Sequence, residues 1–157
     1  MPNGSEPLRQ LRNTMTNQTA NLTIKTIFDR GAESESQMVF FTESDMKQHN
    51  QSYTYAFDES RLYQSDQPIL GQIEIGPDFV TRSISGDENY VMHFKEGYKE
   101  RIVYQTPDGS FVTDVATLNI DIDMENGFGI AHILYRISFA ESESMVNEIR
   151  ISVEAIK

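Results

Sequence analysis

The sequence predicts an all-β domain: an antiparallel sheet of roughly eight to ten strands, closed into an up-and-down barrel. Three observations predict it. Apolar and polar residues alternate through most of the chain from Leu22 onward, the two-residue period of a strand with one buried face. Pairs of residues suited to tight turns, rich in Gly, Asn, Asp and Pro, separate the alternating runs. Past residue 20 no stretch keeps a helical period for the length a helix needs, and only the polar segment Glu43–Gln51 has the composition for one short helical turn. A long meander left open would present two unpaired edges, and closure removes them. A two-sheet sandwich is the rival architecture.

Residues 1–20 read as a disordered tail. Leu8, Leu11, Met1 and Met15 are their only large apolar residues, too few to offset the entropy of ordering the segment. Met15 opens the stretch leading to the first strand and is a candidate for the true start. Residues 21–157 then form one barrel domain. Its inward faces are read in order as Leu22, Ile24 and Phe28, then Met38 and Phe40, then Tyr53, Tyr55 and Phe57. Next come Ile69, Ile73 and Ile75, followed by Val80 and Ile84, by Tyr90, Met92 and Phe94, and by Ile102 and Tyr104. Val112, Asp114, Ala116 and Leu118 share one parity, which continues into Ile120, Ile122 and Met124. The clearest alternation is Ala131, Ile133, Tyr135, Ile137 and Phe139, and the last strand repeats it with Ile149, Ile151, Val153 and Ala155. Asn126-Gly127 sits between two such runs as a primed hairpin turn. Pro107-Asp108-Gly109 is a turn in which Pro sets φ and Gly takes the left-handed position. Gly76-Pro77-Asp78, Ser85-Gly86-Asp87 and Glu96-Gly97 mark the remaining reversals.

Composition bounds the function. With 24 acidic and 13 basic residues the formal charge is −11, which disfavours nucleic acid and anionic membrane surfaces alike. The absence of cysteine removes disulfides and thiolate metal sites. The N-terminus lacks a basic-then-apolar leader, so the protein is expected in the cytoplasm. The Asn-x-Ser/Thr sites at Asn3, Asn17, Asn21 and Asn50 then carry no glycosylation message.

Several pieces occur in a telling order: Gly86 after a strand, Met92-x-Phe94 followed by Gly97, Tyr104-x-Thr106-Pro107-x-Gly109, Thr117, and a late strand with Tyr135. In this the chain resembles, over roughly residues 22–156, the YwiB-like family of bacterial calycin-like β-barrels of unknown function. The resemblance implies a lipocalin-like barrel and brings no reaction, substrate or cofactor. Members of that family carry an arginine two residues before the glycine that matches Gly86. This chain has Ile84 there, and Arg82 two residues earlier on the same strand face.

Arg82 shares parity with Val80 and Ile84, which places a permanent charge on an apolar face. Inside a barrel such a charge requires a carboxylate or an anionic ligand. Asp114 has the parity to be that partner, and Tyr55 and Tyr104 can assist in holding a ligand's polar end. The competing expectation is a structural ion pair near the rim. His93 and His132 alternate away from the core and His49 lies in a polar stretch, so no base with an orienting partner emerges. Asp121, Asp123 and Glu125 suggest calcium, but the EF-hand pattern wants Gly and Glu where Asn126 and His132 stand. No P-loop, GxGxxG, GxSxG or HExxH occurs, and no cofactor is expected. The expected function is non-catalytic binding of a small amphipathic or anionic ligand in the interior. The alternative is a protein-interaction module using the acidic exterior and outward apolar residues such as Leu70, Val103, Ile130 and Leu134; an enzyme ranks last.

Overall fold

The computed structural model describes residues 18–62, 65–86, 89–140 and 143–156. Most of the 1–20 tail, and Asp87 of the predicted Ser85-Gly86-Asp87 turn, lie outside the described residues. Ten antiparallel strands follow one another: β1 (Gln18–Phe28), β2 (Ser36–His49), β3 (Ser52–Asp58), β4 (Leu70–Ile75), β5 (Val80–Ser85), β6 (Tyr90–Phe94), β7 (Lys99–Thr106), β8 (Gly109–Glu125), β9 (Phe128–Ala140) and β10 (Glu143–Ala155). Their order in the sheet is β6-β5-β4-β3-β2-β1-β10-β9-β8-β7. Every sequential pair is a hairpin neighbour except β6 and β7, and the first and last strands pair with each other. The sheet curls into a nearly closed barrel. Its seam lies between β6 and β7, which share an isolated bridge from Asn89 to Gln105. Outside the seam, the Glu100 carboxylate accepts the His93 backbone N–H at 2.7 Å, substituting for the missing ladder.

The core is the barrel interior. Leu22, Tyr55, Ile73, Val80, Phe94, Ile133, Ile151 and Val153 are all but inaccessible there, at the parity the alternation predicts. Two segments depart from the sequence expectation near β1 and β2. β1 begins at Gln18, so the sheet takes the last residues of the predicted tail, and Ala20 is buried between its partners Ser44 and Ala155. Glu43–Gln51 holds no helical turn: β2 continues through it to His49. Strands β1 and β3 flank it and satisfy its backbone, while Ser44 and Met46 point inward and their polar neighbours face water.

β8 carries the third departure. Leu118 is an extra residue in its pairing with β9, where Thr117 opposes Tyr135 and Asn119 already opposes Leu134. This bulge flips the parity. Downstream, Ile120, Ile122 and Met124 pack against the core as expected, but upstream the inward residues are Thr113, Val115 and Thr117. Val112, Asp114 and Leu118 therefore face outward. Met38, Phe139 and Ala155 keep inward parity yet are exposed, because they lie where their strands run past the ends of the barrel.

One barrel end is plugged. Asn126 and Gly127 both have positive φ, +55° and +87°, forming the primed turn the sequence predicts. The tip of this long hairpin folds across to β2 and β3, where a side chain on Gly127 would strike Met46 and Tyr53. Tyr55 donates its phenol proton to the Gly127 carbonyl at 2.6 Å from inside the core. Tyr55→Phe leaves that carbonyl buried and unpaired, and is expected to cost about 1–3 kcal/mol. Urea midpoints of the two proteins measure it, with an unchanged far-ultraviolet dichroism spectrum showing that the barrel persists.

Candidate functional site

The other end opens into a cavity of about 330 Å³. The end of β1, the start of β2, strands β5, β6, β7, β9 and β10, and the β3–β4 loop surround it. Its deep walls are apolar, from Ile24, Phe40, Met92 and Ile149, and Phe28, Met38 and Leu62 stand partly or largely exposed around it. Against that background sit a few polar groups: Thr26, Glu59, Arg82, Tyr90, Tyr104 and Tyr135. Few convergent polar groups on mostly apolar walls is the usual make-up of a small-molecule site.

Arg82 points inward, as its parity requires, between its ladder neighbours Ile73 and Met92. Its partner is Glu59. The guanidinium Nη2 donates to Glu59 Oε1, Nη1 donates to the Ser83 carbonyl at 3.3 Å, and the guanidinium carbon lies 5.5 Å from the centre of the Phe57 ring. Glu59 is wholly buried although it follows the end of β3. It extends the inward parity of Tyr55 and Phe57 by one more alternate position, and its backbone N–H is held by the Ile69 carbonyl at 2.8 Å. Gly71 makes room for it: a Cβ there would collide with both the carboxylate and the Phe57 ring.

Asp114 is not the partner of Arg82. The Leu118 bulge turns it to the outside, where Arg101 Nε donates to it at 2.9 Å and both groups are exposed. That hydrogen bond holds the Asp114 carboxyl below the usual carboxylate range. Tyr55 also lies elsewhere, at the plugged end beneath Gly127. Of the expected group, the cavity brings together Arg82 and Tyr104 alone. Tyr104 faces Tyr90 across the seam with ring centroids 4.5 Å apart. Sequence reasoning missed Glu59, and it placed Tyr90 and Tyr135 on inward faces without reading either as a cavity group. The signal for Glu59 was present, a carboxylate two residues after Phe57 on the core parity.

Tyr135 is buried in the cavity wall, and burial pushes its phenol up to about 12, opposed in part by a hydrogen bond with Asn147. Asn147 itself is buried, donating to the Tyr135 oxygen at 3.3 Å and accepting the Asp29 backbone N–H at 2.9 Å. The histidines lie at the outer surface: His93 beside Glu100, and His132 at 3.0 Å from Glu148. A wider groove of about 590 Å³ runs along the outside of β7, β8 and β9, past Arg101, Asp114 and Arg136. It is shallow and open to water, and the cavity is the better-formed site.

A family model matches residues 22–151, its description being "Domain of unknown function (DUF1934)". The chain belongs to the DUF1934 family. Its fold is similar to that of the crystal structure of the YwiB protein from Bacillus subtilis, with a TM-score of 0.70. Sequence identity is 12%, over 92% of this chain and 98% of that one. No curated protein matches the sequence. The family resemblance read from the sequence and the barrel fold are thus both found, and a likeness this distant speaks for the fold alone.

Two predictions follow from the site. Arg82→Met strands the Glu59 charge in the barrel wall and is expected to cost about 3–5 kcal/mol. Adding Glu59→Leu should recover part of that loss, and a double-mutant cycle by urea denaturation reads the coupling. Tyr135 keeps its proton in the folded chain to about pH 12, whereas an unfolded tyrosine loses it near about pH 10. The stability it contributes is complete below about pH 10 and is lost as the pH rises through about 12. Tyr55, raised by burial, acts in the same direction. Urea midpoints should fall over that alkaline range, and less steeply in Tyr135→Phe.

Proposed function

We propose that this chain is a non-catalytic binding barrel whose open end takes a small amphipathic ligand, apolar part inward and polar end among Arg82, Tyr104 and Tyr135. The observation that carries the reading is the cavity itself: about 330 Å³ of space, walled mostly by apolar side chains, beside a buried ion pair. An open cavity of this size holds water until a ligand displaces it, and seating a ligand's apolar part against these walls removes apolar surface from water. The volume lies at the small end of ligand sites, which favours a compact molecule over a long-chain lipid. Among the described residues no helix is long and apolar enough to cross a membrane. A cytoplasmic carrier or sensor, in the manner of the lipocalin-like barrels the sequence resembles, fits this reading.

The pairing of Arg82 with Glu59 bears on the ligand's charge. An anionic ligand would have to share a guanidinium that already has a carboxylate. A neutral amphiphile requires no such competition. The test is native mass spectrometry of freshly purified protein, alone and with added medium-chain alcohols. An added mass that vanishes on denaturation is expected, and Met92→Phe, which fills the cavity from its wall, should abolish it. A bare polypeptide mass under both conditions would sink the reading.

A further inference from the structure

We propose that the cavity selects a compact aromatic ligand, a molecule of one or two rings bearing a single uncharged polar group such as a phenol or an indole, over an aliphatic one of the same size. The inference rests on the cavity being a ligand site and names the class of molecule that enters it.

Aromatic residues make up 10% of the chain, but they are five of the thirteen described residues that line the cavity: Phe28, Phe40, Tyr90, Tyr104 and Tyr135. Their placement in the sheet matters more than their number. In the sheet order β1 and β2 stand midway between β6 and β7, the strands that meet at the seam. Phe28 and Phe40 therefore line the cavity from the wall opposite Tyr90 and Tyr104, with Tyr135 on β9 to one side. Phe28, Tyr90 and Tyr104 are half-buried, so an entering molecule reaches their rings.

The rings are held in place from behind. Tyr135 packs on Phe94 with centroids 5.1 Å apart and Phe40 on Phe57 at 6.1 Å, and neither Phe94 nor Phe57 lines the cavity. Tyr90 and Tyr104 hold each other at 4.5 Å. Rings fixed in this way lose little further entropy when a guest arrives. An aromatic guest sets its edge against one ring and its face against another, contacts that add to the burial of its area. The thioethers of Met38 and Met92, on the same opposed walls, favour an aromatic neighbour as well. A saturated molecule of the same skeleton gains the area alone. About 330 Å³ suits one or two rings better than a long chain. Glu59 already balances the Arg82 guanidinium, so the ligand's polar group need carry no charge.

The experiment titrates the full chain with naphthol, its saturated counterpart decahydronaphthol, and octanol, by calorimetry and by the position of the Met92 methyl resonance. Naphthol is expected to bind on the order of ten-fold more tightly than decahydronaphthol, although the saturated compound has at least as much apolar surface. The naphthol ring current should displace the Met92 methyl resonance. Binding that leaves that resonance unmoved would place the ligand outside the cavity and overturn the proposal. Tyr104→Leu should narrow the ratio of naphthol to decahydronaphthol several-fold, and Phe28→Leu, at the end of β1, takes its place if Tyr104→Leu does not fold. A ratio that neither variant changes overturns the role of the rings. Decahydronaphthol or octanol binding as tightly as naphthol overturns the aromatic selection while leaving the cavity reading intact. Binding by none of the three overturns both.

Discussion

Strands β1 and β10 pair through eight consecutive positions, from Ala20 opposite Ala155 to Ile27 opposite Glu148, and the barrel depends on that contact. Without it the chain would be two separate meanders, each with a free edge. With it, the first and last strands become the middle of the sheet, and the one remaining seam moves to β6 and β7. Those strands are adjacent in sequence, but among the described residues their backbones meet only at the Asn89–Gln105 bridge, just ahead of β6. Side chains finish what the backbone leaves undone. Tyr90 and Tyr104 face each other on the inside of the seam, and Glu100 caps the His93 N–H on the outside.

Closure also decides where a ligand could go. The long β8–β9 hairpin bends over one end, and the Tyr55 hydroxyl ties its tip to the core. The opposite end keeps the cavity. The β3–β4 loop brings Glu59 back into the interior there. The Glu59–Arg82 pair is not what holds the barrel together. Well-packed apolar side chains in place of a buried ion pair are often equally stable or more so. The pair stands beside the cavity, with one carboxylate oxygen lacking a hydrogen-bond partner among the described residues.

Much of this was legible in the sequence because strand parity is local. Two-residue alternation identified the inward faces of most strands, including the first part of β2 and the part of β8 beyond Leu118, and it placed Arg82 in the interior and His93 and His132 outside. The Asn126-Gly127 turn was legible for the same reason, since its two positive φ values demand those residues. Parity fails wherever a residue is inserted. Leu118 looked like a continuation of the Val112–Ala116 face; instead it is the bulge that reverses it, carrying Asp114 out to Arg101. Polar composition misled at Glu43–Gln51, where two flanking strands override a weak local preference.

The sequence by itself determined the class of fold, most of the strand faces and the presence of an interior arginine, because each follows from spacing along a single unbulged strand. Only the tertiary structure decided what that arginine meets. The contact of Arg82 with Glu59, the displacement of Tyr55 to the plugged end, and the joining of Tyr90, Tyr104 and Tyr135 around one cavity depend on sheet order and curvature. Those are set by how far each strand is staggered against its neighbours and by which strands close the ring. Neither quantity is written in the alternation of any one segment.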